Sequence, residues 1–317
     1  MDNFLLNNTE SETDLGILDF IEKVDNKEDI VFQTSGTTGE PKYINHTFES
    51  LTKNIKISDN LSNVVWGLTY DYKKIAGSQV ILQSYLNNGK VVNLFGKTKE
   101  EITRLITKHN ITHISATPTF YRLFLGNEIF NKVKQITLGG EVVSKSLIDK
   151  LKKSFPSANI TNIYALTEFG TLFSSNDYYF EISEKNSILV KIENNRIFVN
   201  QDGWKDTGDV VEMIDDTKFQ IIGREFNMIN VGGVKINPIK VENVVNSFDY
   251  IKNSVVYSKN NSVMGNVVMC DVVLNQSVDK SKIKQDLKEH LTSYEMPLKI
   301  NIVDNIETNS TGKILRR

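Results

Sequence analysis

Between about residues 28 and 170 the chain alternates short apolar runs with longer segments whose apolar positions recur every three or four residues. Ile30-Val31-Phe32 runs into a Gly/Thr loop, and Val64-Val65-Trp66 precedes a helical stretch from Ile75 to Leu86. Lys90 to Leu94 precedes Lys99 to His109, His113 to Ala116 precedes Thr119 to Leu125, and Ile136 to Leu138 precedes Ser144 to Phe155. Short apolar runs bounded by turn residues read as buried strands, and the 3.6-residue period reads as amphipathic helix. The expected class is α/β, with a large unit built on a mainly parallel sheet flanked by helices, because parallel strands must be joined by crossovers. The loops beginning at Thr34, Gly139 and Ala165 each follow an expected strand. Ligands of such folds lie at the carboxyl ends of strands, so the three loops are expected at one crevice.

From roughly 180 to 223 the rhythm changes to short strands joined by polar turns, as in Ile188 to Ile192, Glu193-Asn194-Asn195, then Ile197-Phe198-Val199. That pattern predicts a small antiparallel β subdomain. After Gly223-Arg224 a second α+β unit is expected, with helices over 239–247 and 281–292 and strands near Val255, Val268 and Ile300. The chain divides accordingly into residues 1–224 and 225–317.

Composition narrows the classes. The 317 residues exceed what a disulfide- or metal-stapled mini-protein needs. With 37 basic against 39 acidic side chains there is no global positive field to attract nucleic acid. The single Cys270, in Val267-Val268-Met269-Cys270, reads as a core thiol in a strand and cannot build a disulfide within the chain. The start, Met1 to Asn7, lacks the basic lead and apolar run of a signal peptide, and no segment has the length of a membrane span. A soluble cytoplasmic protein is expected.

The stretch richest in chemistry is Thr34-Ser35-Gly36-Thr37-Thr38-Gly39-Glu40-Pro41-Lys42, expected to join a strand to a helix. Its hydroxyls, glycines and lysine suit a loop whose backbone N–H groups approach phosphate oxygens; the same residues also suit a plain polar connection. It is not a Walker loop, since Lys42 is followed by Tyr43 and the glycine spacing differs, which disfavours a phosphate-loop NTPase. His46, His109, His113 and His290 have neither metal-ligand spacing nor a nucleophile partner, and His113 is expected in a strand.

The nonapeptide resembles the phosphate-binding loop of the adenylate-forming superfamily: acyl- and aryl-CoA synthetases, nonribosomal-peptide adenylation domains and luciferases. Further segments resemble that family's motifs in its order. They are Leu138-Gly139-Gly140-Glu141, Asn162-Ile163-Tyr164-Ala165-Leu166-Thr167-Glu168, Gly203-Trp204-Lys205-Asp206-Thr207-Gly208-Asp209, Gly223-Arg224 with Met228 to Pro238, and Ser310-Thr311-Gly312-Lys313-Ile314. The resemblance implies an ATP-dependent carboxylate ligase that releases pyrophosphate, forms an acyl-adenylate and passes the acyl group to the thiol of CoA or of a carrier protein's phosphopantetheine. It also implies that the C-terminal α+β domain is mobile.

Residue by residue, the resemblance implies that Thr34, Ser35, Gly36, Thr37, Thr38, Gly39 and Lys42 hold the β- and γ-phosphates. Thr167 would contact the α-phosphate and Glu168 would help coordinate Mg²⁺. Tyr164 would stack on adenine beside Gly140 and Glu141, and Asp209, with Arg224 assisting, would accept from the ribose hydroxyls. Lys313 would reach the α-phosphate and carboxylate oxygens; taken alone, a lysine so near the end reads as a solvated tail residue. Gly232 and Gly233 would be brought to the pantetheine arm, or form a plain turn.

Departures from the family pattern set further expectations. Only 33 residues precede the phosphate loop, where the family has a whole subdomain. The chain is therefore expected to be an N-terminally shortened member whose core is self-sufficient or whose missing surface comes from a dimer or a partner such as an acyl-carrier protein. Phe226 replaces the usual polar hinge residue. Ala165 replaces a glycine beside the acyl site, which favours a small or slim carboxylate. Ile75 to Gln79 is similar to o-succinylbenzoate-CoA ligases, whose preceding histidine is Lys74 here. Lys74 is either a pocket-edge cation or a solvated helix-start residue, and Asp71 is a helix cap or a partner for an amino group, as in amino-acid-activating domains. A binding relative that no longer turns over is the competing class.

Overall fold

The computed structural model describes residues 4–6, 12–35, 41–53, 55–166, 169–184, 186–200, 202–262, 265–308 and 313–314, with the backbone alone at 12–13, 34–35 and 41–42. Strand β1 (Leu5–Leu6) and helix α1 (Glu12–Asp25) precede β2 (Ile30–Ser35), β3 (Pro41–His46) and α2 (Phe48–Thr52). Strands and helices then alternate through β4 (Val65–Leu68), α3 (Ile75–Tyr85), β5 (Lys90–Asn93), α4 (Lys99–Lys108) and β6 (His113–Ala116). The series continues with α5 (Pro118–Phe124), β7 (Gln135–Gly139), α6 (Lys145–Ser154), β8 (Asn159–Leu166) and β9 (Gly170–Ser175). The main sheet has the order β1-β5-β4-β6-β7-β8-β9, parallel throughout except for the antiparallel β8–β9 pair.

The sheet is buried on both faces, as a parallel sheet must be. Neighbours on a strand point to opposite faces, so on β5 Val91 joins one core and Val92 the other. Val91 shares its core with Ile17 and Ile21 of α1 and Ile81 of α3, and Val92 with Leu105 of α4 and Leu151 of α6. The helices start where their sequences allow. Thr98 and Glu101 form a reciprocal capping box at α4, Thr117 caps α5 ahead of Pro118, and Ser144 caps α6.

One expectation fails at the beginning of the series. Ile30–Phe32 does not join the parallel sheet, and the segment after it is not helical. β2 pairs antiparallel with β3 in a separate ribbon, with Phe32 buried and Val31 exposed on alternate faces. Thr34 and Lys42 face each other across it, so residues 34–42 join strand to strand. Tyr43-Ile44-Asn45-His46 alternates as an edge ribbon does, and this period-2 signal overrides the helical reading.

The antiparallel subdomain is as expected: β10 (Phe180–Glu181), β11 (Val190–Glu193), β12 (Arg196–Asn200), β13 (Trp204–Met213) and β14 (Lys218–Arg224), in the order β10-β14-β13-β12-β11. Asn194 and Asn195, at φ 51° and 60°, make the two-residue turn of its β11–β12 hairpin. Next come β15 (Ile229–Val231), β16 (Val234–Ile236), α7 (Pro238–Val245), β17 (Ile251–Asn261), β18 (Gly265–Leu274), α8 (Lys280–Lys288) and β19 (Lys299–Ile302). They form a third sheet, β16-β15-β18-β17 with β19 parallel to β18. Cys270 is fully buried in β18, and burial pushes its thiol well above the usual range. Among the described residues no helix is long and apolar enough to cross a membrane.

Candidate active site

The carboxyl ends of β7 and β8 and the β13–β14 pair bring the central residues together. Gly139 of β7 is in register with Ile163 of β8, so Gly140 and Tyr164 follow side by side. Asp209 of β13 lies directly opposite Arg224 of β14. The Tyr164 hydroxyl donates to Asp209 Oδ2 at 2.6 Å, and Arg224 Nε donates to Oδ1 at 3.0 Å. Asp209 is held from behind as well, its backbone N–H donating to Thr207 Oγ1 at 3.2 Å. Its side chain is 8% exposed, and each carboxylate oxygen keeps a lone pair for a further donor. The Tyr164 ring packs with the cluster of Phe173, Phe180 and Phe219. Burial, followed by the Asp209 charge, holds its phenol protonated far above the ordinary range.

Lys313 reaches this group from the end of the described chain. Gly140 has φ 82°, and a Cβ built there would lie 3.1 Å from Lys313 Cε and 3.4 Å from Nζ. A Cβ there would press the lysine stem aside by a few tenths of an ångström, and the positive φ itself favours glycine. Burial lowers the Lys313 pKa below its ordinary 10.5; Glu141 and Asp209 oppose that shift and Arg224 adds to it. A tail lysine is thereby drawn among two acids and an arginine.

Glu141 is not aimed at open space. Its Oε2 accepts the backbone N–H of Thr119 at 2.9 Å, and its Oε1 accepts the Thr119 hydroxyl at 3.0 Å and the Ile314 backbone N–H at 3.4 Å. Thr119 and Ile314 carry no sequence signal of such a role. Neither does Tyr70, a buried phenol that shares a hydrogen bond with Ser115 within reach of the Glu141 charge.

The remaining expected residues are distributed as follows. Gly36, Thr37, Thr38, Gly39, Thr167 and Glu168 lie outside the described residues, and Thr34, Ser35 and Lys42 are described as ribbon backbone alone. Gly232 and Gly233, at φ 56° and 88°, are the two-residue turn between β15 and β16, closed by Gly233 N–H donating to Asn230 Oδ1 at 3.0 Å. Lys74 Nζ donates to the Gln33 carbonyl at 3.3 Å, tying the start of α3 to β2. Lys74 itself occupies the cap position of α3, while Asp71 accepts the Lys73 N–H in a local turn, so the cap expected at Asp71 is not there. Phe226 is 68% exposed with the Arg224 guanidinium 5.8 Å from its ring centre. Beside it Glu225 takes Arg196 at 2.7 Å and Lys235 at 3.5 Å. Among the described residues no three His, Cys, Asp or Glu side chains cluster as metal ligands.

Residues 7–203 match the family model described as AMP-binding enzyme, and residues 240–313 match that of the AMP-binding enzyme C-terminal domain. A 2-succinylbenzoate–CoA ligase of Listeria innocua is 24% identical over 90% of this chain and 68% of its own length. A 3,4-dihydroxybenzoate–[aryl-carrier protein] ligase of Bacillus anthracis is 24% identical over 90% of this chain and 71% of its own. Among solved structures, Bacillus subtilis o-succinylbenzoate CoA synthetase in complex with its acyl-adenylate intermediate aligns at TM-score 0.67 and 22% identity, over 90% of this chain and 67% of that one. ATP-bound MatB from Rhodopseudomonas palustris aligns at TM-score 0.70 and 18% identity, over 90% and 66%.

Proposed function

Because the chain belongs to the AMP-binding enzyme family, we propose that it is an ATP-dependent carboxylate ligase that forms an acyl-adenylate and passes the acyl group to a thiol. The observation that carries this reading is Lys313 laid over Gly140 among Glu141, Asp209 and Arg224. A carboxylate oxygen attacks the α-phosphorus of ATP, the new O–P bond forms, and the bond to the bridging oxygen breaks to release pyrophosphate. Two anions must meet, so a preorganised cation at their meeting point lowers the barrier. Lys313 is that cation.

The residues fit ATP. Asp209 has an acceptor to spare on each oxygen for the ribose hydroxyls, with Arg224 fixing its orientation. Tyr164 offers an adenine a ring, with Gly140 beside it at the end of β7. Thr34, Ser35, Thr37, Thr38 and Lys42, with Gly36 and Gly39 giving close backbone approach, hold the outer phosphates. Thr167 meets the α-phosphate, and Glu168 takes the Mg²⁺ that enters with ATP. In the second step a thiolate attacks the acyl carbon and AMP leaves, with Gly232 and Gly233 passing the pantetheine arm. CoA is the first choice of acceptor, and a carrier protein is the alternative that the Bacillus anthracis relative illustrates. Ala165, exposed at the end of β8, favours a slim acid.

Residues 1–224 form the unit that binds nucleotide and acid, and residues 225–317 form the unit that brings Lys313 and turns about the Glu225 segment. The last strand of the second sheet ends at Arg224 and the first strand of the third begins at Ile229, which supports that division. The enzyme works in the cytoplasm, where ATP and CoA are at hand. The test is phosphate-product analysis with Mg-ATP and a panel of carboxylates, amino acids included. The reading expects pyrophosphate with one acid class; orthophosphate without any acid would contradict it.

A pH dependence follows from the buried lysine. Adenylation needs Lys313 charged, and burial lowers its pKa, so the alkaline loss of rate falls below pH 10.5. Docking of the tail has the opposite sign. The undocked lysine binds its proton more tightly, so in the window between the docked and undocked pKa values docking strengthens as pH rises. A pH profile of pyrophosphate release at saturating substrates checks the first trend.

A further inference from the structure

We infer that Glu141 is the latch that positions the Lys313 tail, a positioning role that rests on the ligase reading and is distinct from lining an adenine pocket. The carboxylate cannot turn freely, because Oε2 and Oε1 are held by the N–H and the hydroxyl of one residue, Thr119, at 2.9 and 3.0 Å. Thr119 is 1% exposed, in the first turn of α5. The remaining lone pair of Oε1 is thereby fixed in space, and it accepts the Ile314 N–H at 3.4 Å. A charged acceptor strengthens such a bond.

The tail is prepared for this contact from its other side. Thr308 pairs with Ile314 in an isolated antiparallel bridge, and the Ile314 side chain packs against the cluster of Ile306 with Val255 and Val273 of the third sheet. The residue after Lys313 is therefore pinned at its backbone to Glu141, while the Lys313 stem crosses the bare face of Gly140. Latching through the backbone of the next residue fixes where Lys313 points. If the small unit turns away for the thiol step, this bond has to break, so Glu141 biases the enzyme toward the adenylating arrangement.

Glu141→Gln separates the two grips. Its one carbonyl oxygen accepts the Thr119 N–H and its amide donates to the Thr119 hydroxyl, which leaves an N–H facing the Ile314 N–H. The α5 grip stays and the tail grip is lost. Two measurements on the full chain decide the matter without turnover. Hydrogen exchange at the peptide containing Ile314 rises by about tenfold or more in Glu141→Gln, with the α5 peptide unchanged.

The second measurement is the apparent pKa of Lys313 by competitive labelling with acetic anhydride across pH. Glu141, Asp209 and Arg224 face this lysine, and losing the Glu141 charge from a docked tail lowers its pKa further. Undocking raises it toward 10.5, so the latch predicts a rise. An unchanged or lower pKa, unchanged exchange at Ile314, or loosening of α5 together with the tail would each overturn the inference. A parent protein with a protected tail but no acid-dependent pyrophosphate release would count against the ligase reading and leave the latch standing.

Discussion

Lys313→Ala lowers carboxylate-dependent pyrophosphate release by about 10²- to 10³-fold or more and leaves Mg-ATP affinity nearly intact. On the proposed reading the loss is large because the ammonium meets the negative charge that collects in the transition state. It is already desolvated there, among Glu141, Asp209 and Arg224. A cation in a low-dielectric site acts far more strongly than one in water, and among the described residues no other group lies over Gly140. In that reading the nucleotide's sugar and base contacts are assigned to Asp209 and Tyr164, so binding is expected to survive. Initial rates at saturating ATP together with calorimetric titration of ATP give both numbers. A variant that keeps its rate would remove Lys313 from the chemistry.

Asp209→Ala acts on the other side of the same step. The carboxylate orients Arg224 through Oδ1 and the Tyr164 hydroxyl through Oδ2, and in the proposed reading its remaining acceptors serve the ribose. Removing it leaves a half-buried phenol without its carboxylate acceptor, which costs about 1 kcal/mol of stability. Arg224 is 40% exposed and recovers much of its solvation, so its share of that loss is small. Nucleotide affinity falls by about tenfold to a hundredfold as hydrogen bonds to a charged acceptor disappear. Urea unfolding and ATP titration separate the two effects. Asp209→Asn, which keeps one acceptor oxygen, is expected between the two.

The parallel sheet is legible in the sequence because its strands are apolar on both faces, as Val91-Val92 shows, and because Thr98 with Glu101 and Thr117 with Pro118 announce their helices. Helix α1 was within reach of the same reasoning. Its stripe of Ile17, Ile21 and Val24 is helical in period, yet it lies ahead of the point where the alternation begins. The ribbon of β2 and β3 is harder, since a loop rich in glycine and threonine before a lysine suits a strand-to-helix turn as well as a hairpin. Gly232-Gly233 is legible as a turn, and the fold makes it one.

For the site, single residues were legible and their mutual arrangement was not. Tyr164, Asp209 and Arg224 stand in motif-like segments, but Tyr164 and Asp209 are 45 residues apart and meet only through the packing of two sheets. Lys313 looks like a solvated tail residue until the fold lays it on Gly140. Thr119 has no motif around it, and its hold on Glu141 depends on a helix start meeting the end of a neighbouring strand. Local patterns report elements, whereas these contacts come from the tertiary packing of elements remote in sequence.

The most direct test of the central claim follows one oxygen atom. An acid that supports turnover is labelled with ¹⁸O in its carboxylate and incubated with ATP, Mg²⁺ and CoA, and the products are read by mass spectrometry. Adenylation predicts one labelled oxygen in AMP for each thioester formed, because the attacking oxygen stays on phosphorus when the thiolate displaces it. Unlabelled AMP, or label found in a released phosphate, would contradict the account.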